Sequence, residues 1–80
     1  MTGFDELLRD IRFQLLEGNF IQLINGIPGE FFQLNDFHRK TVMREIRHVI
    51  VCDNQKDPEK LVEIINRYMA KVKFNVQPVC

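Results

Sequence analysis

Hydrophobic positions along this chain recur mostly with the period of helices, and only near the C-terminus with the alternation of an extended segment. The pattern is most continuous between Asn35 and Cys52. There Val42, Met43, Ile46, Val49 and Ile50 fall on one helical face, and Asn35 and Asp36 supply N-cap chemistry at its start. Arg39, Lys40, Arg44 and Arg47 occupy the other side, so the solvent face of this central helix is basic. Ahead of it a first helix is predicted over 2–17. Phe4, Leu7, Leu8, Ile11 and Leu15 form its stripe, Thr2 and Asp5 make a capping-box-like pair, and Gly18 is placed to end it. Phe13 and Leu16 widen the stripe, which predicts neighbours on two sides of this helix.

Asn19 is suited to cap a short second helix, Phe20–Asn25, with Phe20, Leu23 and Ile24 facing inward. Gly26-Ile27-Pro28-Gly29 is the clearest break in the chain, since the proline drives Ile27 toward extended conformations. The following Glu30–Leu34 has room for about one helical turn, and its Phe31 and Phe32 are expected to plug the core. After a polar connection at 53–56, Asp57-Pro58-Glu59 restarts a helix with an N-cap acid and proline at its first position. Leu61, Ile64, Ile65, Tyr68, Met69 and Val72 form the stripe of this last helix, and Lys71 and Lys73 suit its negative end. From Phe74 the alternation predicts extended chain. The expected architecture is all-α, a compact bundle of four to six helices in one domain over 1–73, with 74–80 a tail or the start of a linker.

Eighty residues suffice for one core but leave little margin, because a chain of this size buries only roughly 60–65% of its unfolded surface. Eleven basic and eleven acidic residues cancel, which argues against general nucleic-acid affinity. The cancellation hides a polarity. Residues 1–36 hold six acids against two bases, and 37–80 hold nine bases against five acids. That asymmetry predicts an acidic face from Asp5, Glu6 and Asp10 and a basic face from Arg39, Lys40, Arg44 and Arg47, able to join copies head to tail. Two cysteines make no disulfide framework. No apolar run approaches the length of a membrane span and no leader pattern opens the sequence, so a cytoplasmic location and no membrane partner are the default expectations.

Candidate chemistry is sparse. His48 and Cys52 are four apart and share a helical face, which would make half of a zinc site or a nucleophile with its base. A zinc site needs four ligands, and His38 and Cys80 are distant in sequence. Catalysis needs a third, orienting group, and Asp53 next to Cys52 points elsewhere on a helix. The Gly26–Gly29 loop lacks the glycine and lysine spacing of a phosphate cradle. A helix-turn-helix built from Phe20–Asn25 and the central helix would need a connection far shorter than Gly26 to Leu34. No enzyme activity, cofactor or metal is therefore expected.

Several pieces of the chain together resemble the death-fold class, and within it the bacterial death-like or effector-associated domains. They are the short helix Phe20-Ile21-Gln22-Leu23-Ile24, the Pro28-Gly29 loop, the long helix through Val42, Ile46 and Val49, and the closing Leu61-Val62-Glu63-Ile64-Ile65. Those modules often carry a glycine-containing turn before the last helix, where this chain has Asp53–Pro58. The resemblance implies a non-enzymatic adaptor or oligomerisation module for signalling, commonly placed ahead of a protease, TIR or nucleotide-binding effector domain. Its partner would be itself or a related helical domain, bound by weak, salt-sensitive association through charged helical surfaces. The alternatives are a small DNA-binding regulator, and a subunit or inhibitor that meets a larger protein through an apolar patch around Phe31 and Phe32.

Overall fold

The computed structural model describes the backbone of residues 3–76 and the side chains of residues 3–71. Four α-helices and one 3-10 turn appear there: α1 (Phe4–Gln14), α2 (Glu17–Gly26), the turn Gly29–Gln33, α3 (Asp36–Cys52) and α4 (Pro58–Val76). The described residues contain no strand. The molecule is an all-α bundle in which α1 lies along α3, α2 lies along α4, and α3 and α4 touch to close the core.

Local chemistry explains where α3 and α4 begin. The Asn35 side chain accepts the His38 N–H at 2.8 Å, satisfying one of the unpaired donors of the first turn. Asp57 does the same for the Glu59 N–H at 3.0 Å, with Pro58 at the first helical position. The end of α3 uses a residue in the left-handed region: Asn54 has φ 54°, and the Gln55 N–H returns to the Val49 carbonyl at 3.3 Å. Asparagine tolerates this conformation better than other non-glycine residues. Asn54 thus adopts the backbone geometry for which glycine is the usual choice. α4 continues through Val76, past the point at Phe74 where alternation predicts extended chain. Thr2 and the segment 77–80 lie outside the described residues, as does the side chain of Val72.

The first two helices divide differently from the expected pattern. α1 stops at Gln14, and α2 starts at Glu17, so Gly18 and Asn19 lie inside a helix rather than ending one and capping the next. Gly3 and Leu16 are the N-caps of these helices, and neither makes a side-chain cap. Leu15 and Leu16 are both extended, and successive extended residues point to opposite sides. Leu15 consequently enters the core while Leu16 faces out. Neither leucine is a helix breaker. Packing sets the break, because α2 must leave α1 in order to lie along α4.

Leu7, Ile11 and Leu15 meet Leu23, Ile27 and Phe31 from the middle of the chain, with Val42, Met43, Ile46 and Ile50 from α3 and Leu61, Ile65 and Met69 from α4. No polar or charged side chain is buried among the described residues. Phe31 is the largest plug. It is fully buried, 6.0 Å from the Phe4 ring and edge-on to Phe32 at 5.4 Å. Burying each such side chain stabilises the fold by roughly 1.5–3 kcal/mol. Phe32 is not a second plug; it is about half exposed. Gly26 ends α2 against α4, where a Cβ would stand 2.8 Å from a methyl of Val62, so a side chain there would block the approach of the two helices.

Candidate interaction surfaces

Because α1 packs along α3, the acidic and basic residues singled out by charge stand on neighbouring helices rather than on opposite sides of the molecule. The Arg47 guanidinium bonds the Asp10 carboxylate across the seam. Asp36, in the first turn of α3, holds Lys40 at 3.0 Å and lies 3.8 Å from Arg39. Arg39 also donates to the Phe32 carbonyl at 3.4 Å and places its guanidinium 5.4 Å from the Phe4 ring centroid. Three of the four basic side chains of α3 are thus engaged by groups of the same molecule. Asp5, Glu6 and Arg44 stay exposed at the edges of the seam. Two shallow grooves follow it. One, of about 430 Å³, is lined by Glu6, Leu7, Asp10, Arg44 and Arg47. The other, of about 670 Å³, mixes Asp5, Glu6 and Asp36 with Arg9 and Arg39. Arginines paired with carboxylates of their own chain are less available to neutralise phosphates.

A second contact zone joins α3 to α4. The Tyr68 phenol is pushed above its usual pKa by burial first, and then by the carboxylate of Glu45 beside it. Lys71 lies 5.5 Å from the Tyr68 ring centroid. At the far end of α3 the Cys52 sulfur is 3.5 Å from His48 Nδ1, and both side chains are exposed. No third His, Cys, Asp or Glu joins them in a cluster suited to a metal among the described residues. Cys80 is outside those residues, and Asp53 caps the helix rather than orienting the imidazole.

The most conspicuous surface is one that charge did not point to. Phe13 is 86% exposed and Leu16 is 77% exposed, and both stand where α1 gives way to α2. They do not touch neighbours on two sides as the widened stripe predicts; nothing in the described chain covers them. The angular signal is present in the sequence. At 3.6 residues per turn, Phe13 lies about 200° from Ile11, on the side away from the core. Around this pair, Arg12 and Glu17 form an exposed ion pair at 3.4 Å, and the Arg12 guanidinium lies 5.8 Å from the half-buried Phe20 ring. Among the described residues, Phe37, Ile21, Val51 and Phe32 are the other large apolar side chains left in solvent.

No helix in the described residues is long and apolar enough to cross a membrane. No protein-family model matches the chain, and no curated protein or solved structure gives a significant match.

Proposed function

We propose that this chain is a non-enzymatic protein–protein interaction module that assembles with copies of itself, as an adaptor or oligomerisation domain. The observation that carries the proposal is the contrast between a complete core and the large apolar side chains outside it, with Phe13 and Leu16 almost fully in solvent. Single exposed hydrophobic residues are ordinary, whereas large exposed apolar patches mark contact sites, and Phe13 and Leu16 are exposed three residues apart at one helix junction. The resemblance to death-fold modules, whose role is homotypic assembly, points the same way. So does the zero formal net charge, since copies approach one another without overall repulsion. Asp5, Glu6 and Arg44 supply exposed charge that orients the encounter.

Light scattering after size exclusion, over a concentration series at about 50 mM and about 500 mM salt, tests this. The expected result is a mass that rises above the 9.5 kDa of one chain as concentration increases. A mass that also falls back at high salt assigns the driving force to the charged residues. A mass indifferent to salt assigns it to the apolar ones. A constant 9.5 kDa under all conditions overturns self-assembly and leaves a partner of different sequence.

A further inference from the structure

We infer that two copies of this chain assemble by exchanging α1. The bend at Leu15 and Leu16 opens, α1 and α2 join into one straight helix, and α1 docks on α3 of the second copy. This rests on the self-assembly proposed above and adds its mode, symmetry and stoichiometry. Local chemistry does little to hold the bend. Phe4 to Gly26 contains no proline, and the two residues that separate α1 from α2 are leucines, which favour helix. Leu16 gives α2 no side-chain cap, so the first N–H groups of α2 gain no such partner just where the last carbonyls of α1 run out of helix. A straight helix pairs the two sets. α1 can also leave as a unit, since it packs mainly on α3 and only lightly on α2.

The apolar faces fit the exchanged form. At 3.6 residues per turn, a straight helix sets Leu23 about 120° from Ile11 and about 160° from Leu7. Its two halves therefore face different bodies, α2 its own α4 and α1 the α3 of the other copy. Straightening also sets Phe13, Leu16 and Phe20 in one row at i, i+3 and i+7, so the exposed pair extends the face of α2. The interface is the seam itself: the buried Leu7, Ile11 and Leu15 repack between chains, and the Asp10–Arg47 pair re-forms there. Its area is that of a core contact rather than of a surface patch. Reciprocal exchange closes the assembly at two chains.

Leu16→Pro tests the hinge. Leu16 has φ −63° and ψ 147° and follows an extended Leu15, so proline fits the bent chain, and at 77% exposure the leucine gives up little packing. In a straight helix the same proline removes a backbone bond and clashes with the preceding turn, which should weaken the dimer at least about a hundredfold. The monomer should unfold no more easily than the wild type. Leu16→Ala removes the apolar side chain but keeps the helix propensity, and should dimerise as well as the wild type. Mixing then tests which chain's α3 holds α1. Asp10→Arg and Arg47→Asp chains each set like charges across their own seam. Refolded together and counted by native mass spectrometry, they should give a ratio of heterodimer to homodimer at least about threefold above the statistical one, because exchange restores both pairs with opposite charge.

Wild-type protein that dimerises, together with a Leu16→Pro variant that dimerises equally well, overturns the exchange while leaving self-assembly standing. A Leu16→Ala variant that fails to dimerise does the same, since it assigns the contact to the leucine side chain. A statistical mixture of the charge-reversed chains also overturns the exchange, as does growth beyond two chains. A wild-type chain that stays monomeric at every concentration overturns both the exchange and the assembly it rests on.

Discussion

The α1–α3 seam and the α1–α2 corner are built from the same helix, yet they dispose of their exposed chemistry in opposite ways. Along the seam, charges that look free in the sequence meet partners in the same chain: Asp10 with Arg47, and Asp36 with Arg39 and Lys40. At the corner, aromatic and aliphatic side chains that look like core end in solvent. Charge in a small bundle is thus a poor guide to free surface, because a chain with equal numbers of each sign satisfies much of its own. An exposed phenylalanine has no comparable internal outlet. Once the core is filled, nothing in the described residues covers it.

The sharpest test of the contrast sets one phenylalanine against another. Phe31→Ala, deep between Phe4 and Phe32, should lower unfolding free energy by about 3–5 kcal/mol, whereas Phe13→Ala should change the monomer by no more than about 0.5 kcal/mol. Urea unfolding at low protein concentration measures both. A large loss at Phe13 in the monomer would mean that it packs within the chain after all. For a domain of modest stability, the Phe31 change alone brings the fold close to its limit.

Glycines at the two ends of α2 give the next largest effect. Gly26→Ala must force Val62 aside, and overpacking of this kind costs about 1–3 kcal/mol, more than the helix propensity gained. At Gly18, beside the corner, an added methyl meets nothing within 4 Å, so alanine should stabilise the protein by about 0.5–1 kcal/mol. Opposite signs in thermal or urea unfolding would show that α2 is clamped at its α4 end and open at the corner. Equal signs would break that description.

How much of this was legible in the residues alone differs by element. α3 and α4 start where their caps predict, because Asn35 and Asp57-Pro58 act on the adjacent turn and need no tertiary context. The apolar stripes likewise identify the core of both helices. The α1–α2 break was not legible, since Leu15 and Leu16 are good helix formers that only the packing of α2 on α4 pulls into extended geometry. The internal pairing of the charged residues was not legible for a related reason. Composition gives the sign carried by a segment but not the rotation of one helix about another, and that rotation brings Asp10 to Arg47. Phe13 was the avoidable error, because its position on the helical wheel already sets it opposite Ile11.

A smaller effect probes the α3–α4 contact. Burial and then Glu45 raise the Tyr68 pKa in the folded protein above the ordinary value of 10.0. The folded state therefore holds this proton more tightly than the unfolded chain. Its contribution is fully present below pH 10.0 and is lost as pH rises through the folded pKa. Unfolding free energy should decline above that pH more steeply in the wild type than in Tyr68→Phe. Identical slopes would deny the contact a role.

The smallest expected effect belongs to the seam itself. Asp10 and Arg47 keep 36% and 48% of their side-chain surface, so solvent screens their attraction, and Arg47→Gln should cost less than about 1 kcal/mol. The loss should shrink further in about 0.5 M salt, where the Debye length falls below the size of a side chain. Its value lies in what else the substitution does. It frees the Asp10 carboxylate and removes a charge from the basic side of α3 while leaving Phe13, Leu16, Arg12 and Glu17 untouched. If copies exchange α1 at the corner, the pair is lost equally from monomer and dimer, and the dimer mass and its concentration dependence should be those of the wild type. A variant that unfolds normally but no longer associates would move the interface to the outer surface of the seam, and would show that its charges do more between chains than within one.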